Sequence, residues 1–190
     1  MLLAAFATEA FAATTHKVER GDSLWRIAVK YQVGLSEIKA ANPTIKNYDL
    51  IYPGQIINIP TVDSTVTAYE KEVVRLVNEI RRENGLKPLT IDWQLSRVAR
   101  YKSQDMSDIG YFSHTSPTYG SPFEMMRSFS ISYRTAGENI AKGYRTAEAV
   151  VNGWMNSPGH RANILNSTYT HIGVGYVSQG NYWTQMFISK

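Results

Sequence analysis

The chain has 190 residues, 43% hydrophobic and 12% aromatic, which suits an ordered protein of one or two domains and excludes a disordered one. Its net charge of +4 comes without a dense Lys/Arg block, so nucleic acid is not an expected partner; a solvated surface, or attraction to an anionic polymer such as a cell wall, fits better. The absence of cysteine argues against a small disulfide-built secreted domain and fits either a cytosol or a bacterial exterior.

The chain starts with "MLLAAFATEAFAATTH", apolar and carrying Ala10-Phe11-Ala12, an A-x-A pattern. Residues 1–13 are therefore expected to be an export-signal remnant or a disordered leader, although Glu9 and the missing basic front end depart from a full signal. No other apolar run reaches the ~18 residues of a membrane helix, so no integral membrane segment is expected in the mature chain. Residues 61–67, "TVDSTVT", read as a linker between two modules.

The first module, residues 14–60, reads as β-α-α-β. A strand covers 16–19, with His16 exposed at its start, and the Gly21-Asp22-Ser23 turn offers Asp22 or Ser23 as a helix cap. Leu24, Ile27, Ala28 and Tyr31 then share one helix face, which Gly34 ends. A short helix over 36–41 stops before Asn42-Pro43, and "QIINIP" after Pro53-Gly54 closes the module as a strand.

The marks "V-x-x-GDSLWRIA", "ANP" and "LIYPGQIINIP" make this module resemble the LysM domain. The resemblance implies binding of N-acetylglucosamine glycans, peptidoglycan or a chitin-like polymer. It places the groove between two loops, Gly21, Asp22, Ser23 and Leu24 facing Asp49, Leu50 and Ile51. Backbone groups on opposed loops suit an N-acetyl amide, and apolar side chains suit its methyl.

Residues 68–190 begin with a helix. Its stripe of Val73, Leu76, Val77 and Ile80 is flanked by a charged face of Glu70, Lys71, Arg75, Glu79, Arg81 and Arg82, and Asn84-Gly85 ends it. Asp92 can cap a second helix carrying Leu95, Val98, Ala99, Lys102 and Met106, stopped by Gly110. "YFSHTSP" is a loop bearing His114, and Ser121-Pro122-x-Glu124 is a capping box opening a helix to about residue 129. "TAGENIAKG", with Glu138, reads as loop or strand; a helix capped by Thr146 runs through Asn156, with Trp154 inward. His160 then stands on a corner flanked by Asn163 and Asn166, which are expected to fix its turns. "THIGVGYV" and "NYWTQMFIS" alternate as an antiparallel hairpin, on which sheet packing accounts for His171. Helices first and strands last give an α+β class.

"YFSHTSP", "AGENIA", "W-x-x-S-x-GHRANILN" and "HIGVG", in this order, resemble the CAP superfamily of secreted proteins and its cysteine-free bacterial branch. The implied fold is a three-layer α-β-α sandwich. The implied site is a cleft of two histidines and two acids. Carried over, these are His114, His160 and Glu138, while the second acid's position is Ser157; Glu124 is the candidate substitute.

Two imidazoles and a carboxylate suit Zn²⁺ or another divalent cation, acid–base hydrolysis, or simple ligand binding, and all three stay open. Ser113 and Ser157 stand near the histidines in sequence, but no G-x-S-x-G elbow supports a serine nucleophile. The leading expectation is an exported, wall-retained protein whose cleft meets a ligand, a metal or a partner. The rivals are a zinc-dependent hydrolase of wall peptide or glycan bonds and a scaffold that pairs with envelope or spore-coat proteins. The first module also resembles LysM modules of spore-coat and spore-cortex proteins, which narrows the location toward a spore envelope.

Overall fold

Residues 12–190 are described by the structure, a computed structural model. The chain divides into two units between Ser64 and Thr65, inside the expected linker. That joint is not irregular, however: Thr61 closes a strand and a helix starts at Ser64. Of the expected leader, residues 1–11 lie outside the described residues, and Ala12 and Ala13 already belong to a strand.

The first unit follows the expected β-α-α-β order: β1 (Ala12–Lys17), α1 (Leu24–Tyr31), α2 (Leu35–Ala41) and β2 (Ile56–Thr61). β1 and β2 pair antiparallel from Ala12↔Thr61 to Lys17↔Ile56. Leu24, Ile27, Ala28, Ile38, Ile57 and Ile59 form the core of this small unit. Ser23, not Asp22, caps α1, its hydroxyl accepting from the Arg26 N–H at 3.2 Å. α1 ends at Gln32, in the left-handed region with φ 54°, while Gly34 serves as the N-cap of α2. Buried Asn42 explains the "ANP" mark: its amide donates to the Ile38 and Asn58 carbonyls and accepts from the Asn58 N–H, tying α2 to β2. His16 is buried, contrary to expectation, because Asp22 and Tyr31 both reach its ring.

The second unit comprises α3 (Ser64–Glu83), β3 (Thr90–Ile91), α4 (Trp93–Ile109), α5 (Pro122–Ser128), β4 (Thr135–Lys142), α6 (Ala147–Met155), α7 (Pro158–Ile164), β5 (His171–Val177) and β6 (Tyr182–Ser189). The sheet order is β3-β5-β6-β4, with β3 parallel to β5 and the other pairs antiparallel. One sheet face, including Ile172, Val174, Trp183 and Phe187, packs with Val73 and Val77 of α3, Trp154 of α6 and Ile164 of α7. The other face, with Met186 and Ile188, packs with Leu95, Val98 and Ala99 of α4 and Met125 and Met126 of α5. This is the α-β-α sandwich.

α4 lies very close to the sheet. A Cβ on Gly173 would fall 2.4 Å from the Leu95 backbone, and one on Gly175 2.2 Å from that of Ala99, so only glycine admits this approach. Two charges assigned by sequence to the solvent face of α3 are buried. Glu70 takes a bidentate ion pair from Arg100 and the N–H of Tyr176, linking the two helical layers. Arg81 donates to the Lys87, Ile164 and Asn166 carbonyls. Backbone groups that lack sheet or helix partners recruit these charges inward.

Candidate functional site

The loop carrying His114 follows α4, which stops at Gly110 (φ 77°). Two residues one turn apart on α4 hold it. Asp105 accepts from the Tyr111, Ser116 and Thr118 hydroxyls at 2.5, 2.6 and 2.6 Å. Lys102, fully buried, donates to the Ser113 and His114 carbonyls at 2.8 and 3.0 Å and lies 3.1 Å from the Tyr111 oxygen. Burial lowers the Lys102 pKa, and the nearby negative charges of Glu138 and Asp105 oppose that fall.

Glu138 lies on β4, in the row of that strand that pairs with Met186 and so faces α4. Its Oε1 is 2.7 Å from His114 Nδ1, with the Glu138 side chain 1% exposed and that of His114 53% exposed. When ionised, the Glu138 carboxylate only accepts, so Nδ1 then carries the hydrogen of this bond, and Nε2 takes no part in it. Burial raises the Glu138 pKa; the His114 hydrogen bond and the Lys102 charge pull the other way. Its second oxygen, Oε2, is buried without a partner. No backbone N–H serves this carboxylate among the described residues, so its visible work is on His114.

His160 lies in the helix α7, not on an irregular corner, because Pro158 fits the first turn of a helix. Asn139 of β4 donates to the His160 carbonyl at 3.1 Å and to Gln185 Oε1 at 3.0 Å. Asn163 of α7 donates to the Glu138 carbonyl at 3.2 Å and to Asn139 Oδ1 at 2.8 Å. Asn163 thus fastens α7 to β4 rather than shaping its own turn; only Asn166 makes the expected local bonds, to Thr168. Arg81 holds the far end of α7. Burial lowers the His160 pKa, and the charge of His114 lowers it further, so the two imidazoles sense each other. β4 thus joins the two histidines: its Glu138 side chain holds the first ring and its Asn139 side chain the backbone of the second.

The donor set does not fit a three-ligand metal centre. Among the described residues no three His, Cys, Asp or Glu side chains gather closely enough to hold an ion. Glu124, the candidate supporting ligand, is consumed by its capping box: it accepts from the Ser121 N–H and hydroxyl at 2.8 and 2.7 Å and is exposed. Neither serine forms a nucleophile pair. Ser113 accepts from the Thr115 N–H, and Ser157 caps α7 without a side-chain bond.

In the first unit, the two loops assigned to glycan differ in what they present. Leu24 is a core residue at 3% exposure, so its side chain is not offered to a ligand, whereas Leu50 is half exposed. Gly21 (φ 94°) gives its carbonyl to the Arg26 guanidinium at 2.8 Å. Asn47 accepts from the Asp49 N–H and shapes the facing loop. Ile51 packs, partly buried, against the core that contains Leu24.

Residues 74–188 match the cysteine-rich secretory protein (CAP) family, and residues 16–60 match the LysM domain. The chain belongs to the CAP family. It is 67% identical over 127 residues to the uncharacterized protein YkwD of Bacillus subtilis, a match covering 67% of this chain and 49% of that protein. It is also similar in structure to an extracellular protein containing a SCP domain from Bacillus anthracis, with TM-score 0.64, 35% identity, and coverage of 73% of this chain and 47% of that one. The chain therefore spans about half the length of these two relatives. A 46-residue stretch is 50% identical to SpoIVD-associated factor A of Bacillus subtilis, covering 24% of this chain and 12% of that protein. A 76-residue stretch is 36% identical to the N-acetylmuramoyl-L-alanine amidase sle1 of Staphylococcus epidermidis, covering 40% of this chain and 23% of that protein.

Three residues that support this CAP domain carried no role in the sequence: Lys102 beneath the His114 loop, Arg81 at the end of α7, and Asn139 between α7 and β6. Lys102 left a signal, a lone charge on the apolar stripe of α4. Arg81 left none, because a charged residue on α3 reads as solvated until the fold supplies three bare carbonyls.

Proposed function

We propose that this chain is an envelope-associated protein of a Gram-positive bacterium, held on peptidoglycan by its LysM domain while its CAP domain offers the His114–Glu138–His160 cleft to a wall component or partner. The observation that carries the cleft reading is the His114–Glu138 pair, in which a buried carboxylate fixes an exposed imidazole with Nε2 free. A ring held in this way accepts a hydrogen bond from an amide, a hydroxyl or an ammonium group with little loss of side-chain freedom. Likeness to the amidase sle1 supports the wall, and likeness over 46 residues to the spore coat assembly protein ExsA of Bacillus cereus supports a spore envelope as the narrower location.

The test is cosedimentation of the full chain with purified peptidoglycan, competed by chitooligosaccharides. Retention that the oligosaccharides relieve is expected; a chain that stays in the supernatant refutes the anchor. For the cleft, wall fragments that bind the wild type and not His114→Ala are expected, and equal binding by both removes it.

The same dyad favours a second reading, hydrolysis of a wall bond. His114 Nε2 would take a proton from water as the water oxygen bonds to the scissile carbon, Glu138 would stabilise the imidazolium that forms, and the imidazolium would return that proton to the departing amine or sugar oxygen as its bond to carbon breaks. New amino or reducing ends in a wall digest with wild type, absent with His114→Ala, would establish turnover; digests without new ends refute it. Zinc content of the purified wild type and of His114→Ala checks the metal reading, for which the lack of a three-donor group among the described residues predicts no stoichiometric ion.

A further inference from the structure

The LysM unit holds a second histidine–carboxylate pair, of which the sequence placed Asp22 in the glycan groove and left His16 outside it. His16, on β1, is 5% exposed, and both of its ring nitrogens are engaged. Nε2 lies 2.8 Å from Asp22 Oδ2, and Nδ1 lies 3.1 Å from the hydroxyl of Tyr31, in the last turn of α1. The His16 and Tyr31 rings meet edge to face at 5.6 Å. The same Oδ2 of Asp22 accepts the Glu19 N–H at 2.8 Å, while the Asp22 N–H returns to the Glu19 carbonyl at 3.1 Å. One carboxylate oxygen thus closes the turn from Glu19 to Asp22 from within, and one imidazole sets where that oxygen stands. These two donors hold the Asp22 carboxylate below its ordinary pKa.

We propose that His16 is the positioning residue of the glycan-facing loop, and that Asp22 serves that loop by gripping His16 and Glu19 rather than by contacting sugar. This inference rests on the LysM glycan reading. Backbone amides and carbonyls can select an N-acetyl group only if their directions are fixed, and the loop that bears them, Gly21 to Leu24, starts from the turn His16 braces. Arg26 braces the same loop from outside through the Gly21 carbonyl. His16 reaches β1, the loop and α1 together, so it transmits the register of the folded unit to the loop.

The full chain tests this with His16→Ala, Asp22→Ala, the double variant, and Asp22→Asn, whose amide oxygen still accepts from Glu19 and His16. Three quantities are read: affinity for purified peptidoglycan, amide exchange over residues 19–24, and the unfolding transition. Each alanine variant is expected to weaken binding about tenfold, the scale of one lost hydrogen bond to a charged group. The double variant is expected to bind no more weakly than either single, because both remove one device. Asp22→Asn should stay within about threefold of wild type, since it keeps the acceptor. Exchange over 19–24 should rise while the β1–β2 amides stay protected.

Multiplying losses in the double variant overturn the inference, as does a His16→Ala protein that binds like wild type. If His16→Ala does not fold, Tyr31→Phe removes only the hydroxyl at Nδ1; unchanged binding together with unchanged exchange there also overturns it. A wild type that ignores peptidoglycan fails the glycan reading instead, and unchanged loop exchange in His16→Ala then fails the positioning claim separately.

Discussion

The two units each contain a histidine gripped by a carboxylate, at 2.8 Å in His16–Asp22 and 2.7 Å in His114–Glu138, but the two pairs are turned in opposite senses. In the first, the imidazole is inside, its side chain 6% exposed, and the acid is nearer water. In the second, the acid is inside at 1% and the ring looks out at 53%. The same bond therefore does different work. An inward ring with both nitrogens occupied braces a loop, whereas an outward ring with one nitrogen occupied turns its other edge to solvent. The comparison teaches that a histidine–carboxylate distance alone says nothing about chemistry; which partner meets solvent does.

Lys102→Met should have the largest effect, a loss of about 3 kcal/mol in the unfolding of the CAP unit, because two carbonyls lose their donor and Glu138 loses a buried cation. Denaturant titration measures it, and a change below about 1 kcal/mol would mean that the His114 loop stands without this support. His16→Ala should cost the LysM unit about 2 kcal/mol, since it strands a carboxylate and a tyrosine hydroxyl.

Glu138→Gln acts on the pH profile. Burial holds the folded Glu138 pKa above 4.5, so the folded state binds this proton more tightly than the unfolded state does. Its contribution to stability is full below 4.5 and is lost as pH rises through the folded value, with a slope of at most about 1.4 kcal/mol per pH unit. Glutamine should flatten that stretch of the curve, and an unaltered slope would show that the carboxylate is not shielded from water.

His114→Ala should change stability least, by under about 1 kcal/mol, because water can enter the place of an exposed ring and hydrate Glu138 Oε1. A loss equal to that of His16→Ala would erase the contrast between the pairs. In the same variant, the His160 titration followed by NMR should rise but stay below 6.5, since burial is the larger cause of its depression and the His114 charge the smaller. In the wild type this depression means that the His160 contribution to stability is full above 6.5 and is lost as pH falls through that value toward the folded one.

The regular elements were legible wherever a local rule acts. The Leu24–Ile27–Ala28–Tyr31 stripe, the Asp92 cap, the Ser121–Glu124 box and the β5–β6 alternation all appear as elements of the structure. β3 was not legible, because two residues paired to a distant strand carry no periodicity. α7 was hidden because Pro158-Gly159 reads equally as a turn and as a helix start. The candidate site was legible only as family motifs. The partnership of His114 with Glu138 depends on the loop after α4 coming to rest against β4, which no local spacing encodes. His16 was misjudged for the same reason, since its cover comes from a turn and a helix end that follow it in the chain.

The sheet order has one more consequence. Glu138 and Asn139 lie on β4, an outer strand, and such a rim ordinarily invites another chain to add itself by backbone pairing. Here the Asn163 amide occupies the Glu138 carbonyl on that strand, and the opposite rim, β3, is two residues long. The contact that fastens α7 beside the histidines thus also takes up one of the backbone groups this rim would offer to another chain, and the opposite rim is too short to template a strand.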